Sequence, residues 1–248
     1  MFKISILLAT YNWPEALQLC LNSLREQTDL DFEIIIADDG SASETKNLIE
    51  RIQQTHPISI KHLWQEDQGF RKTAILNQAI NAAHGDYLVF LDGDCVVFPS
   101  FIDSHKMLAQ QKKMVVGSRI LCSEQFTHLV ESKKIDPTSW GFCHWLKSRL
   151  LNQVNRIFPL ITLPNGCLRN LRGTRWAGVR TFNLGVWRKD FFAVNGFDER
   201  FQGWGHEDAD LAIRLIRSGV LRKDGQFALP VLHLWHRESD RGKLINNI

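Results

Sequence analysis

The sequence predicts a mixed α/β fold, with a Rossmann-like, mostly parallel central sheet carrying helices on both faces. Short apolar runs alternate with amphipathic stretches in a β-α-β-α-β order through the first half, an order that implies parallel strands covered by helices. No Gly/Pro/Ser-rich linker, internal repeat or low-complexity tract divides the 248 residues, so one domain is expected.

Lys3 to Ala9 is an apolar run with β-branched residues near its start and reads as a buried strand. Asn12 then reads as a helix N-cap, with Pro14 close to the first helical position and Leu17, Leu21 and Leu24 on one face. Phe32 to Ala37 is a second strand, followed by Asp38-Asp39-Gly40-Ser41 and a helix over about Glu44 to Gln54. Ile58 to Leu63 fits a third strand and Arg71 to Ala83 an amphipathic helix. Tyr87 to Leu91 is the clearest buried strand and ends on Asp92-Gly93-Asp94. The second half is less regular. Strands are expected at Val115 to Gly117, Val179 to Trp187 and Phe227 to Leu234, and helices at Trp140 to Val154 and Glu207 to Ser218.

Composition narrows the function. A net charge of +3 is too small to mark a nucleic-acid binder. The five cysteines are odd in number and none lies in a CxxC spacing, which favours reduced thiols over a disulfide framework or zinc ribbon. The opening residues lack the charged and apolar regions of a signal peptide, and no apolar run approaches the ~18 residues of a membrane span. A cytoplasmic protein is therefore expected.

In open parallel sheets, ligands bind beyond the carboxyl ends of the strands. Thr10, Tyr11 and Asn12 follow the first strand, Asp38 and Asp39 the second, and Asp92 and Asp94 the fourth. Any one of these is explained as turn chemistry; three in succession point to a shared rim. Two carboxylates flanking Gly93 can aim at one point, where they repel unless a cation lies between them. Hard oxygens suit Mg2+ or Mn2+, which also bridges to nucleotide phosphates.

Farther on, Glu207, Asp208 and Asp210 fall in the first turn of a helix, where acids complement the macrodipole whatever their function; for Asp210 that structural role is preferred. Trp204, between Gly203 and Gly205, is either a sugar platform or a core residue. His233 and His236 frame the end of the last strand. Imidazole completes an Asp-containing metal site and tilts it towards Mn2+, with His233 the first choice as ligand and His236 a ligand or a phosphate contact.

Taken together, these motifs resemble the family 2 glycosyltransferases of the GT-A fold. The matching residues are Ala9-Thr10-Tyr11-Asn12, Asp38-Asp39-Gly40-Ser41, Gly85-Asp86-Tyr87 leading into Leu91-Asp92-Gly93-Asp94, Asn183-Leu184-Gly185 and Gly196-Phe197-Asp198-Glu199. The segment from Gly203 to Leu211 resembles a motif of bacterial chondroitin-polymerase domains and β-1,4-galactosyltransferases. The resemblance implies an inverting transfer of a sugar from a nucleotide diphosphate donor, UDP-linked, to a glycan or lipid-linked hydroxyl. It implies that residues 1–118 hold the nucleotide sugar and 119–248 the acceptor. Thr10, Tyr11, Asn12 and Asp39 would hold base and ribose, Asp92 and Gly93 would face ribose and metal, and Asp94 would be the principal carboxylate ligand. Asp208 would be the base, Glu207 would orient the acceptor, and Asn77 would organise the donor helix. Trp13 stands where many relatives carry arginine, and Leu76 precedes Asn77 where they carry another, so phosphate contact falls to Arg71 or Lys72.

Between Pro137 and Lys189 lie nine Lys and Arg residues, no Asp or Glu, and the aromatics Trp140, Trp145, Phe158 and Trp176. This stretch is either a solvated face over ordinary core aromatics, or a surface for an anionic membrane or a phosphorylated lipid-linked acceptor. The second option suits surface-polysaccharide synthesis, with a lipopolysaccharide-core or capsule acceptor. Two other functions fit parts of the pattern. A sugar-nucleotide pyrophosphorylase shares the sheet and metal but opens on a Gly-rich loop. A carbohydrate-binding module would use Trp204 and Trp235 without needing Asp39, Asp92, Asp94 and Asp208.

Overall fold

The computed structural model describes residues 2–201 and 205–237. Its elements run β1 (Ile4–Thr10), α1 (Pro14–Arg25), β2 (Phe32–Asp38), α2 (Ser43–Gln53), β3 (Ile60–Trp64), α3 (Lys72–Asn81) and β4 (Tyr87–Asp92). There follow β5 (Cys95–Val97), α4 (Phe101–Leu108), β6 (Lys113–Val116), β7 (Ser118–Leu121), α5 (Glu124–Glu131) and α6 (Phe142–Leu150). The chain closes through β8 (Asn183–Trp187), α7 (Arg188–Ala193), α8 (Glu207–Arg217), β9 (Leu221–Asp224) and β10 (Pro230–His233).

The main sheet has seven strands in the order β3-β2-β1-β4-β8-β6-β9. β1 to β4 run parallel, while β8 lies antiparallel to both its neighbours, β4 and β6. Side-chain alternation along β1 builds two cores. Ile4, Ile6 and Leu8 pack with Leu17 and Leu21 of α1, Leu48 of α2 and Phe101 of α4. Leu7 faces the other way, into a cluster with Ile75 and Leu76 of α3, Phe191 of α7 and Leu211 and Leu215 of α8. The expected parallel sheet with helices on both faces is present, with one reversed strand inside it.

β5, β10 and β7 form a second, three-stranded sheet. Its apolar side chains pack with Phe126 of α5 and Trp145 of α6 in a third cluster. The strand expected at Phe227 to Leu234 thus belongs to this small sheet rather than the main one.

Several boundaries differ from the sequence expectation. α1 begins at Pro14 with Trp13 at the N-cap; Asn12 lies outside the helix in a left-handed conformation (φ 46°), its carboxamide engaged elsewhere. The helix expected over Trp140 to Val154 is only Phe142–Leu150, because Pro137–Ser139 forms a separate 3-10 turn and Asn152 takes φ 55°, a common helix terminator. The strand expected from Val179 shortens to Asn183–Trp187.

Between α6 and β8 the chain is mostly irregular, and Arg169 pins it. Its guanidinium donates to the carbonyls of Leu163 (2.5 Å), Pro164 (3.1 Å), Asp224 (2.9 Å), Gln226 (2.7 Å) and Phe227 (3.2 Å). Arg169 is 6% exposed, so it is withdrawn from any surface role in the basic stretch. Arg169→Gln is expected to lower stability by ~2 kcal/mol, because buried carbonyls lose their donors. Urea unfolding would measure it, together with faster amide exchange around Gly225–Leu229.

Candidate active site

Register brings the first site residues together. In the β1–β2 ladder Thr10 pairs with Asp38, and in the β1–β4 ladder Ala9 pairs with Asp92, so three loops leave the sheet side by side. The Gly93 amide donates to Ala9 O at 2.7 Å. A β-carbon at Gly93 would sit 3.0 Å from that oxygen and 3.2 Å from Thr10 Oγ1, so glycine permits the close approach of the β4 end to β1.

The first two loops are sewn reciprocally. Asn12 N donates to Ser41 Oγ (2.9 Å), and Ala42 N donates to Asn12 Oδ1 (2.7 Å). Gly40 takes φ 91°, and a β-carbon there would fall 2.6 Å from Asp67 Cα, so the turn after β2 needs glycine twice over. Asp38 is fully buried and accepts from Ser41 N at 2.8 Å, with His62 Nε2 3.0 Å away; its role is to brace the turn. Asp39 accepts from Gln65 Nε2 (2.6 Å) and from Arg71 N (2.9 Å), holding the start of α3. Tyr11 donates to Asp67 Oδ2 at 2.8 Å.

Consecutive basic residues diverge at this point. Arg71 turns back onto its own loop and donates to Glu66 O at 2.7 Å. Lys72 points into the site, donating to Asp92 Oδ1 at 2.5 Å and Thr181 Oγ1 at 3.2 Å. Burial works against the Lys72 charge, but Asp92 and then Asp208 outweigh it and hold the ammonium well above its usual range. Asn77 does not offer its amide to the rim: it donates to Phe197 O (3.0 Å) and Glu199 Oε1 (2.8 Å) and accepts from Phe197 N (3.0 Å). It fastens α3 to the segment that precedes α8.

Asp92 and Asp94 do not converge on one another's partner, as the sequence had implied. Asp92 meets Lys72, while Asp94 Oδ2 lies 3.2 Å from His236 Nε2 and 3.5 Å from His233 Nε2. Cys95 completes a tight group, its sulfur lying within 4.8 Å of ligand atoms of Asp94 and His233. Burial pushes the Cys95 thiol well up, so it stays protonated. Burial raises Asp94 too, yet the His236 hydrogen bond and the His233 charge hold it below its usual value. The same hydrogen bond lifts His236 to about 9. A cationic imidazole thus stands against Asp94; once that proton is given up, one carboxylate with two imidazoles is a donor set that fits Mn2+ or another divalent ion.

On the other side of Lys72 stands α8. His206, immediately before it, takes the left-handed conformation (φ 69°), a strained placing for a non-glycine residue of the kind that clusters at functional sites. Glu207 and Asp208 are both buried, 7% and 9% exposed. Glu207 Oε2 accepts from Gly205 N at 2.9 Å. Asp208 Oδ1 is buried without a hydrogen-bond partner among the described residues. Burial, partly offset by Lys72 and reinforced by Glu207, raises Asp208 to about 6. Asp210 is engaged by Arg214 Nη2 at 2.6 Å, in keeping with a structural role. Trp204 lies outside the described residues.

Sequence reasoning missed Thr181, Cys95, Gln65 and Asp67. Thr181, Gln65 and Asp67 enter the site by contact with residues distant in sequence, whereas Cys95 directly follows Asp94 and its place beside that motif was the available signal.

The chain has recognisable relatives. The profile for glycosyl transferase family 2 matches residues 5–172, and that for the N-terminal domain of galactosyltransferase matches residues 173–227. Validoxylamine A glucosyltransferase of Streptomyces hygroscopicus subsp. jinggangensis is 29% identical over 231 residues, covering 88% of this chain and 52% of the relative. Chondroitin synthase of Escherichia coli is 27% identical over 239 residues, covering 87% of this chain and 32% of the relative. The chain therefore spans about half the length of the first and about a third of the second. Among solved structures, the mannosyltransferase PcManGT from Pyrobaculum calidifontis, in complex with GDP-Man and Mn2+, superposes with a TM-score of 0.66. Its identity is 15%, over 96% of this chain and 58% of that one, and the likeness is one of fold.

Asp208 also bears on stability. Its folded pKa of about 6 lies above the ordinary carboxylate value of 3.8. The folded state therefore binds the proton more tightly, and this group costs stability as pH rises from about 4 to 6 and above. Asp208→Asn should raise the thermal midpoint at pH 8, with up to ~3 kcal/mol of added stability for a shift of about two units. The gain should vanish near pH 4; equal midpoints at pH 8 would contradict the strained carboxylate.

Proposed function

This chain belongs to glycosyl transferase family 2, and we propose that it is an inverting, metal-dependent hexosyltransferase using a UDP-linked donor. The acceptor is a hydroxyl of a glycan or lipid-linked saccharide, in surface-polysaccharide or lipopolysaccharide assembly inside the cell. One observation carries the proposal: a buried Asp208 with an unpartnered oxygen shares the influence of Lys72 with Asp92, whose strand leads into the Asp94-His233-His236 group.

Each part of the rim has a job in that reaction. Thr10, Tyr11, Asn12 and Asp39 frame the base and ribose; Asp39 does so while fixing the loop from Gln65 to Arg71. Lys72 shifts its ammonium from Asp92 towards the diphosphate. Asp94, His233 and His236 would hold the divalent ion with Asp92 nearby, and the bound ion supplies charge neutralisation to the departing diphosphate. Asp208 takes the proton of the acceptor hydroxyl. A carboxylate at about 6 is a stronger base than an ordinary aspartate and still ionised at neutral pH. Glu207, anchored by the Gly205 amide, orients the acceptor, with Trp204 as the sugar platform. A single in-line displacement inverts the anomeric carbon, and no covalent sugar-enzyme bond forms.

Asp208→Asn should keep UDP and Mn2+ binding but slow transfer by ~10²-fold or more, the scale of a lost general base. Glu207→Gln should act mainly on the apparent acceptor affinity. Near-normal transfer by folded Asp208→Asn would hand the base role to another acid, and release of pyrophosphate rather than UDP would favour a pyrophosphorylase.

The pH dependence follows from the same group. The wild-type kcat/KM should fall about tenfold per pH unit below about 6, as Asp208 takes up its proton. A profile flat from pH 7 to pH 4.5 would remove Asp208 from the reaction.

Metal dependence has its own test. Chelation should silence the enzyme and Mn2+ restore it, and Asp94→Ala should abolish Mn2+ binding measured calorimetrically. Full turnover in metal-free buffer would overturn the metal assignment.

A further inference from the structure

We propose that the outward face of α6 is a docking surface for an anionic lipid bilayer. α6 is amphipathic in an inverted sense. Its inner side rests on Trp145 and Ser148, with Trp145 stacked edge-on against Trp140 (ring centroids 5.4 Å apart) and lodged in the cluster beneath the small sheet. Phe142, Leu146 and Leu150 recur at the i, i+4, i+8 spacing of one helix face and are 61%, 44% and 75% exposed. Leu151 follows at 57% and Phe158 at 67%. A soluble surface helix ordinarily places such residues inwards.

Charge says what covers this face. On a helix of ~3.6 residues per turn, Lys147 and Arg149 fall on either side of the apolar arc. From there their aliphatic stems can lie along the apolar surface while the charges reach headgroups. They belong to the stretch from Pro137 to Lys189 that holds nine basic residues, the buried Arg169 among them, and no acid. An apolar arc flanked by cations, on a helix that carries no carboxylate, is complementary to an anionic bilayer interface, not to a neutral protein surface. No helix among the described residues is long and apolar enough to cross a membrane, so contact here is in the plane of the interface.

The placement also has a use. The cluster holding Trp145 includes Val96 and Leu234, the residues next to Cys95 and His233 in sequence. α6 is thus joined to the strands that carry the Asp94 group through one apolar cluster, so a bilayer on its outer face would lie on the side of the fold where, on the proposed function, a lipid-linked acceptor reacts.

Docking stands apart from the proposed chemistry and is tested without turnover. The full chain is floated with phosphatidylcholine vesicles, alone or with a third of phosphatidylglycerol. Binding should need the anionic lipid and weaken at least tenfold as salt rises from about 0.05 to 0.5 M, where the Debye length shrinks well below ~10 Å. Leu146→Glu with Leu150→Glu, and separately Lys147→Gln with Arg149→Gln, should each cut binding at least tenfold while circular dichroism and the thermal midpoint hold. Asp208→Asn should bind vesicles like the wild type, which separates this proposal from the catalytic one. An environment-sensitive dye on the exposed Cys143, in a Cys167→Ser background, should shift to the blue on anionic vesicles. Equal binding to neutral and anionic vesicles, no binding to either, or unimpaired binding by the glutamate variant would each overturn the proposal. So would a wild-type dimer that the glutamate variant turns into a monomer, since a second copy would then cover the face.

Discussion

Four carboxylates, Asp92, Asp94, Glu207 and Asp208, are brought to one rim from two elements far apart in sequence, and at such range like charges coexist only with cations among them. Lys72 is the protein's own answer on one side, placed on Asp92 at 2.5 Å and next in influence on Asp208. On the other side, His236 and His233 stand against Asp94. Because Lys72 comes from α3, Asp92 from β4 and Asp208 from α8, a single ammonium makes the position of three elements interdependent.

Much of the surrounding bonding holds those elements in place. Asn77 of α3 binds both backbone groups of Phe197. Arg214 of α8 donates to Val194 O (2.5 Å) and Gly196 O (2.7 Å) while engaging Asp210. The Phe197 ring packs in the cluster between the sheet, α3 and α8. Side chains from motifs that look functional are therefore often positioning residues, one shell removed from the rim.

The site also carries costs that the rest of the fold must absorb. Asp208 keeps a buried, unpartnered oxygen, and both Asn12 and His206 adopt left-handed backbone. Such features persist only where packing over-determines them. Here the two cores on either face of the main sheet supply that packing, from Ile4, Ile6 and Leu8 on one side and Leu7, Ile35 and Ala37 on the other.

The fold class, the parallel order of β1 to β4 and the sequence of polar loops at their carboxyl ends were legible in the chain alone. Periodicity is local, and a buried strand such as Tyr87 to Leu91 announces itself within its own residues. The reversed β8 inside the sheet and the separate sheet of β5, β10 and β7 were not legible, because pairing partners lie far along the chain. The same distinction governs the site. Asp94, His233 and Asp208 stood out as candidates by residue type and context. Which basic residue enters the site could not: Arg71 and Lys72 are neighbours with similar chemistry, and only the start of α3, held by Asp39, sends Lys72 inwards and Arg71 back onto Glu66. Arg169 shows the same limit from the other direction, since a basic residue in a basic stretch became a buried clasp once the backbone carbonyls around Asp224 and Phe227 closed on it. Composition sets which charges are present; the tertiary structure decides which are withdrawn from water and what they meet there.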